Sequence, residues 1–325
     1  MTESESPASQ SESWPPDDGL WEKFHAYLEL VRLPNVFTAM ADVLMGFLFV
    51  HRSFGSGNGW ALGLLIAASS LLYMAGIALN DVFDYAVDLV ERPERPLPSA
   101  RIGLRTARWL GWTMLAVGVG LAVVAAMLVG QVRTAIVAGL LAASIVFYDA
   151  WLKRTLLGPL GMGACRMLNV LLGMSAAVGA WQAQHWLVAG AIGTYIVGVT
   201  WLARTEARRS RRLHLAGATL VMLAGIGLLA SLPRVTDDLV ALLQSDPSRW
   251  YLLMALLGAL IGWRGLRAIV DPRSAVVKNA VGQSILSLVV LDAAACFAAQ
   301  GTPGGVMVLL LLVPTMIIGQ WLEAT

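Results

Sequence analysis

Residues 60–91 read WALGLLIAASSLLYMAGIALNDVFDYAVDLVE, and this stretch combines the two features that decide the fold. The part from Trp60 to Leu79 carries no charged side chain, and it has the length of about 20 residues that an α-helix needs to cross a membrane. Charged residues begin abruptly at Asp81. The stretch therefore predicts a transmembrane helix whose last turns, rich in carboxylates, leave the membrane.

The rest of the chain repeats the apolar half of this pattern. Of its 325 residues, 57% are hydrophobic and only 14% are charged, whereas a soluble domain carries about 25% charged residues. We predict an all-α, polytopic membrane bundle of nine transmembrane helices, or ten if the polar segment 277–299 also crosses. The predicted spans lie near residues 34–51, 60–82, 106–129, 132–149, 159–181, 186–203, 213–231, 250–266, 277–299 and 304–322.

Composition and charge also bound the domain organisation. Residues 1–20 are acidic and rich in Ser and Pro, so we expect a disordered tail, followed by a single membrane-embedded domain over residues 21–325. A net charge of +2 gives no indication of nucleic-acid binding. The two cysteines, Cys165 and Cys296, lie in apolar runs without a CxxC pattern, so neither a disulfide framework nor a zinc site is indicated.

Basic residues collect in alternate loops and predict the orientation. The loops at 80–105, 149–158 and 204–213 hold ten of the 20 arginines, which by the positive-inside rule places them, and the N-terminus, in the cytoplasm. We therefore expect a multi-pass protein of the cell (inner) membrane. Because the three loops follow alternate spans on one side, we also expect them to converge.

Helical geometry predicts an acidic face after Leu79. At 100° per residue the polar side chains that follow fall within roughly one 100° sector of the helix. Carboxylates this close repel one another, a cost that a bound divalent cation would offset, and oxygen-only ligands indicate Mg²⁺, which binds through one or two carboxylates plus substrate phosphate. The face consists of Asn80, Asp81, Asp84, Asp88 and Glu91.

Arginines follow the acidic face directly. Three prolines within residues 93–98 break the helix and present Arg92, Arg95 and Arg101 nearby. Guanidinium groups bind phosphate oxygens, so acids and arginines this close together indicate diphosphate chemistry. The simpler alternative is a solvated helix end whose Asp and Arg residues pair with each other, but it leaves Asn80 on the same face unexplained.

At these residues the sequence resembles the UbiA superfamily of intramembrane prenyltransferases. NDVFDYAVD (80–88) fits the NDxxDxxxD motif of that family, and RPLPS (95–99) resembles the tail that often follows it. RLPN (32–35) resembles the family's Arg-Pro-Asn entry to the first span, and YDAWLKR (148–154) resembles its Tyr/Lys loop. The resemblance implies a helical bundle around a central cavity, and a Mg²⁺-dependent enzyme that moves a prenyl group from a prenyl diphosphate to an aromatic or other lipid-soluble acceptor.

The resemblance also implies roles by position. The metal ligands would be Asn80, Asp81, Asp84 and Asp88. The catalytic residues would be Asp81, Asp84, Tyr148 and Lys153. The substrate-binding residues would be Arg32, Asn35, Arg92, Arg95, Arg154, Arg166, Asn169, Arg204 and Glu206.

The sequence departs from the family at its second acidic motif. The family has DxxxD after the sixth span, whereas residues 201–212 read WLARTEARRSRR, with Glu206 as the one carboxylate. A second Mg²⁺ would therefore lack its usual ligands. Arg204 and Glu206 either bind phosphate or belong to an ordinary positive-inside loop. This divergence resembles the EboC-like branch of the superfamily.

Two other functions remain open. A non-catalytic protein of the same fold that binds or transports an isoprenoid lipid would explain the missing acidic motif. A transporter would use the intramembrane charges Asp42, Arg166 and Asp292 as a coupling path, although structural pairing of Asp42 with Arg166 explains those two equally well. The transporter leaves RPLPS unexplained. A CDP-alcohol phosphotransferase is disfavoured because its DGxxAR signature is absent.

Overall fold

The computed structural model describes residues 19–51, 58–204, 211–237, 239–240, 243–244 and 246–324, and all regular secondary structure within these ranges is helical. Short 3₁₀ turns lie at Leu152–Arg154 and Leu232–Arg234. The α-helices, numbered in chain order, are α1 (Gly19–Leu30), α2 (Leu33–Val50), α3 (Asn58–Glu91), α4 (Leu104–Val129), α5 (Val132–Ala150), α6 (Gly158–Met174), α7 (Ala183–Ala203), α8 (Arg212–Ala230), α9 (Ser248–Val270), α10 (Ser274–Gln300), α11 (Thr302–Leu309) and α12 (Leu312–Ala324).

Nine stretches of the described residues are long and apolar enough to cross a membrane, which confirms a multi-pass helical protein. They are α2 to α5, α7 to α10, and α11 with α12 as one span over Thr302–Trp321. The segment 277–299, whose crossing was in question, lies within α10 and is one of the nine. The short helix is instead α6, which has 17 residues and ends at Met174 rather than near residue 181. The chain turns after it through Gly179, whose positive φ of 93° favours glycine.

α3 carries the acidic face and is longer than the predicted span 60–82. It runs for 34 residues, so its axis is about 50 Å long, well beyond the ~30 Å hydrocarbon core. Its carboxylates therefore remain in helical register while they project past the apolar part of the helix. The helix ends at Glu91, two residues before Pro93, because proline disfavours a helical conformation in the residue that precedes it.

α2 packs against α3, α6, α10 and α12, and most of its side chains are buried. Its contact with α6 is especially close at two glycines. A Cβ atom at Gly46 would collide with the carbonyl of Val170, and one at Gly173 would collide with the carbonyl of Val43. Small residues let membrane helices approach until their backbones touch, so these glycines fix the α2–α6 spacing.

The glycine contact generates a stability prediction. Gly173→Val should lower the stability of the protein by about 1–3 kcal/mol, because the new side chain overpacks the α2–α6 interface. Gly139→Val on α5 is the matched control, since nothing lies within 4 Å of a Cβ built there. Thermal unfolding of both variants in the same detergent tests this, and equal melting temperatures would show that the close approach is not required.

Candidate functional site

A cavity of about 370 Å³ lies beside the polar end of α3 and is lined from α2, α3, α5, α6 and α7. The lining residues of α3 recur every three or four positions from Ser69 to Asp84, so one face of the helix forms one wall. Apolar side chains such as Leu72 and Ile77 precede the ionic ones on that wall. The predicted site residues that line the cavity are Arg32, Asn80, Asp84, Arg92, Arg95, Tyr148, Arg166, Asn169 and Arg204.

Lys153 bridges two members of the acidic face. Its Nζ donates to Asn80 Oδ1 at 2.8 Å and to Asp84 Oδ2 at 2.7 Å, and its side chain is only 10% exposed. The more exposed Arg154 lies 3.6 Å from Asp84 Oδ1 and donates to the carbonyl of Phe83 at 3.1 Å. The 3₁₀ turn after α5 thus presents two consecutive cations to α3.

Arginines neutralise two further carboxylates of the face, Asp81 and Asp88. Arg95 Nη1 lies 2.8 Å from Asp88 Oδ2 and 3.4 Å from Asp81 Oδ1. Arg32 Nη2 adds a second cation, 3.4 Å from Asp81 Oδ1. Both aspartate side chains are 6% exposed, and carboxylates this deeply buried require paired cations. Arg32 itself adopts a left-handed conformation with φ of 46°, a strained arrangement that persists where surrounding contacts enforce it.

The oxygens on this face fit a site for Mg²⁺ that substrate would complete. No group of three His, Cys, Asp or Glu side chains within the described residues would hold a metal ion unaided. Asn80 Oδ1 and Asp84 Oδ2 nevertheless converge on a single ammonium, that of Lys153, at 2.7–2.8 Å. Mg²⁺ uses such oxygens together with substrate phosphates. Asp81 and Asp88, which were also predicted as ligands, lie in the arginine pairs.

The remaining predicted residues occupy different surroundings. Asn35 contributes its backbone, whose amide donates to the carbonyl of Arg32 at 2.9 Å, and it does not line the cavity. Arg204 Nη2 donates to the carbonyl of Lys153 at 2.8 Å and to that of Thr155, so it ties the end of α7 to the turn after α5. Glu206 lies outside the described residues.

A buried polar network forms another wall of the cavity. Arg166 Nη1 donates to Asp42 Oδ2 at 2.7 Å, which confirms the predicted pairing, and its Nη2 donates to Thr38 Oγ1 at 2.7 Å. Asn169 Nδ2 also donates to Asp42 Oδ2, at 2.9 Å, and Asn169 Oδ1 accepts from Ser69 Oγ at 2.7 Å. These contacts join α2, α3 and α6 through paired charges and satisfied amides.

One acid of the cavity wall, Asp149, is not among the site residues predicted from the sequence. It follows Tyr148 directly in the YDAWLKR motif, and both residues line the cavity. The signal that would have found it is a carboxylate at the end of a span, within a motif already assigned to the site. The sequence does not show which way the last turn of α5 faces.

Comparison with known families gives this geometry its context. The profile of the UbiA prenyltransferase family matches residues 39–288, which include the acidic face and the turn after α5. The chain belongs to the UbiA prenyltransferase family. The membership confirms the superfamily, and the EboC-like branch stays a prediction.

Several curated relatives in the UbiA family are digeranylgeranylglyceryl phosphate synthases. The chain is 32% identical to that of Metallosphaera sedula over 163 residues, 34% identical to that of Ignicoccus hospitalis over 163, and 35% identical to that of Methanopyrus kandleri over 162. These alignments cover 50%, 50% and 48% of this chain and 55%, 50% and 56% of the relatives. The chain thus spans about half the length of the curated relatives it matches.

Solved structures share the UbiA fold. A digeranylgeranylglyceryl phosphate synthase aligns with a TM-score of 0.61 at 20% identity, over 86% of this chain and 99% of that one. A UbiA homolog from Archaeoglobus fulgidus bound to GPP and Mg²⁺ aligns with a TM-score of 0.59 at 13% identity, over 80% and 99%. At these identities the similarity shows the fold, and it confirms the predicted bundle.

The arginine pairs at the end of α3 generate a prediction. Arg95→Met should destabilise the protein by about 3 kcal/mol, because it strips a cation from two buried carboxylates. Arg101→Met is the control, since Arg101 pairs with Glu29 at 2.7 Å where both side chains are more than a third exposed, and such a pair contributes about 0–1 kcal/mol. Thermal unfolding compares them, and an Arg95→Met protein as stable as the control would contradict the pairing.

Proposed function

We propose that this UbiA protein is an intramembrane prenyltransferase that moves a prenyl group from a prenyl diphosphate to an aromatic or other lipid-soluble acceptor in a Mg²⁺-dependent reaction. The observation that carries the proposal is the position of the acid–cation cluster, where Asn80, Asp84 and Lys153 meet at one end of a cavity with apolar walls. The names of the relatives support it, as does the bound GPP and Mg²⁺ of a structural neighbour.

Cations at the mouth of the cavity would stabilise the leaving group. A diphosphate departs only when its growing negative charge is stabilised, and preorganised cations in a water-poor site do this well. Arg92 lines the cavity, and its side chain makes no ion pair or hydrogen bond with the residues that the structure describes, so its guanidinium is available for phosphate oxygens. Mg²⁺ bound through Asn80 and Asp84 would add positive charge beside the same oxygens. Further cations lie nearby, since Lys153 and Arg154 contact Asp84, and Arg32 and Arg95 line the same cavity.

The interior of the cavity would hold the prenyl chain. Leu72, Ile77 and Leu141 give it apolar walls, which suit a hydrocarbon and exclude water from the reacting carbon. The ring of Tyr148 lies on the wall of the same cavity, and an aromatic face stabilises a developing allylic cation. The chain would therefore lie inward with its diphosphate at the mouth.

The proposed orientation in the membrane follows from the distribution of arginines among the loops. We place the protein in the cell (inner) membrane, with the N-terminus and the site loops in the cytoplasm. The concentration of arginine in the loops after α3, α5 and α7 supports this orientation by the positive-inside rule. The diphosphate group of a prenyl diphosphate is charged and water-soluble, so the substrate would then enter from the cytoplasmic side.

A turnover assay with the protein in lipid tests the function. The mixture contains radiolabelled prenyl diphosphate, Mg²⁺ and a lipid extract of the host, and we expect release of pyrophosphate together with a prenylated lipid. Asp84→Asn should lower the rate by about 100-fold or more, because it removes a charge that holds the metal beside the leaving group. Glu91→Gln, an exposed acid seven residues further along α3, is the matched control and should keep most of the activity.

The same assay distinguishes a prenyltransferase from a non-catalytic protein of the same fold. A wild-type protein that binds prenyl diphosphate but never converts it with any extract would be a non-catalytic isoprenoid-binding protein. Equal binding by wild type and Asp84→Asn, measured without an acceptor, would show that the substrate lies elsewhere.

A further inference from the structure

Asp149 is a buried acid on the wall of the cavity. It is the penultimate residue of α5, its exposure is 3%, and it lines the cavity together with Asn80 and Asp84. Its Oδ2 is inaccessible to solvent and has no hydrogen-bond partner among the residues that the structure describes. A buried carboxylate is costly unless a donor or a cation compensates it. Asp149 lies beside the oxygens that would hold a metal ion, so its carboxylate is suited to bind the same cation.

The other carboxylates of the cavity mouth have cation partners. Asp84 pairs with Lys153, and Asp81 and Asp88 pair with arginines. Lys153 is four residues from Asp149 and interacts with it electrostatically, but its ammonium donates its hydrogen bonds to α3 instead. Asp149 is therefore close to a cation without receiving its hydrogen bonds.

Asp149 and Asp84 also act on each other through space. Their carboxylates interact unfavourably, and they belong to different helices that line one cavity. A divalent cation between them would relieve this repulsion. Mg²⁺ needs only one or two carboxylates when phosphate oxygens fill its other positions, so one carboxylate from α5 added to the oxygens of α3 suffices.

We propose, resting on the proposed Mg²⁺-dependent function, that Asp149 is a ligand of a divalent cation in this cavity. It supplies from α5 a second carboxylate in addition to that of Asp84 on α3. The metal would then bind between α3 and α5, beside Lys153. This position accounts for the buried Oδ2 of Asp149, which has no hydrogen-bond partner among the described residues. It also accounts for the sequence after α7, where Glu206 is the one carboxylate in residues 201–212.

Binding of Mn²⁺ to the full chain in lipid nanodiscs tests this ligand. Mn²⁺ replaces Mg²⁺, inorganic diphosphate provides the phosphate oxygens, and electron paramagnetic resonance measures the free ion. Asp149→Asn should weaken Mn²⁺ binding by at least about tenfold, because it removes a direct charged ligand. Asp292→Asn is the matched control and should change binding less than twofold, since Asp292 is also a buried carboxylate without a hydrogen-bond partner among the described residues but does not line the cavity.

Thermal unfolding of the same proteins separates a ligand from a structural residue. Without metal, Asp149→Asn should melt at the same temperature as wild type or higher, because it replaces a buried acid whose Oδ2 lacks a hydrogen-bond partner among the described residues by a neutral group of the same shape. With Mn²⁺ and diphosphate, wild type should gain more in melting temperature than the variant. A metal-free variant that melts lower than wild type, or one that binds Mn²⁺ like wild type, overturns the assignment. If wild type itself binds no Mn²⁺, the proposed function fails with it.

Discussion

Neutralisation of the carboxylates at the end of α3 is the constraint on which the site depends. Asp81 and Asp88 are nearly wholly buried, and a charge in that position is stable only with a partner. The partners come from three connecting segments of the chain, since Arg32 precedes α2 and Arg95 follows α3, while Lys153 follows α5 and holds Asp84. The same contacts that compensate these charges therefore fix where three connecting segments meet, and they assemble the mouth of the cavity.

This arrangement divides the acidic face into two functions. Asp81 and Asp88 are held by arginines and mainly anchor the segments that contact α3. Asn80 and Asp84 contact Lys153 instead, whose ammonium carries a single charge on a flexible side chain. In the proposed reaction Asn80 and Asp84 would hold a divalent cation through these two oxygens, and Lys153 would donate to the diphosphate instead. One exchange of partners would then prepare both the metal ligands and a cation for the leaving group.

The sequence predicts the parts of this site that depend on helical periodicity alone. The face Asn80 to Asp88 follows from 100° per residue, and the pairing of Asp42 with Arg166 follows from the cost of isolated charges in lipid. The sequence does not predict which acids pair with arginines, because that depends on how the connecting segments fold against α3. Asp149 was missed for a related reason, since only the rotation of α5 about its axis decides whether it faces the cavity. The early end of α6 depends likewise on a local turn.

The polar network of α2 and α6 determines how a substrate would lie in the cavity. Arg166 and Asn169 line the wall, but their donors are engaged by Asp42, Thr38 and the backbone of α2, and the carboxylate of Asp42 balances the guanidinium. A neutralised and hydrogen-bonded network attracts a further anion weakly. Several arginines line the cavity. Of these, Arg92 at the mouth is the one whose guanidinium has no partner among the described residues. Charge therefore favours one direction of binding, with the phosphate groups of a donor at the end of α3 and its hydrocarbon along the apolar wall.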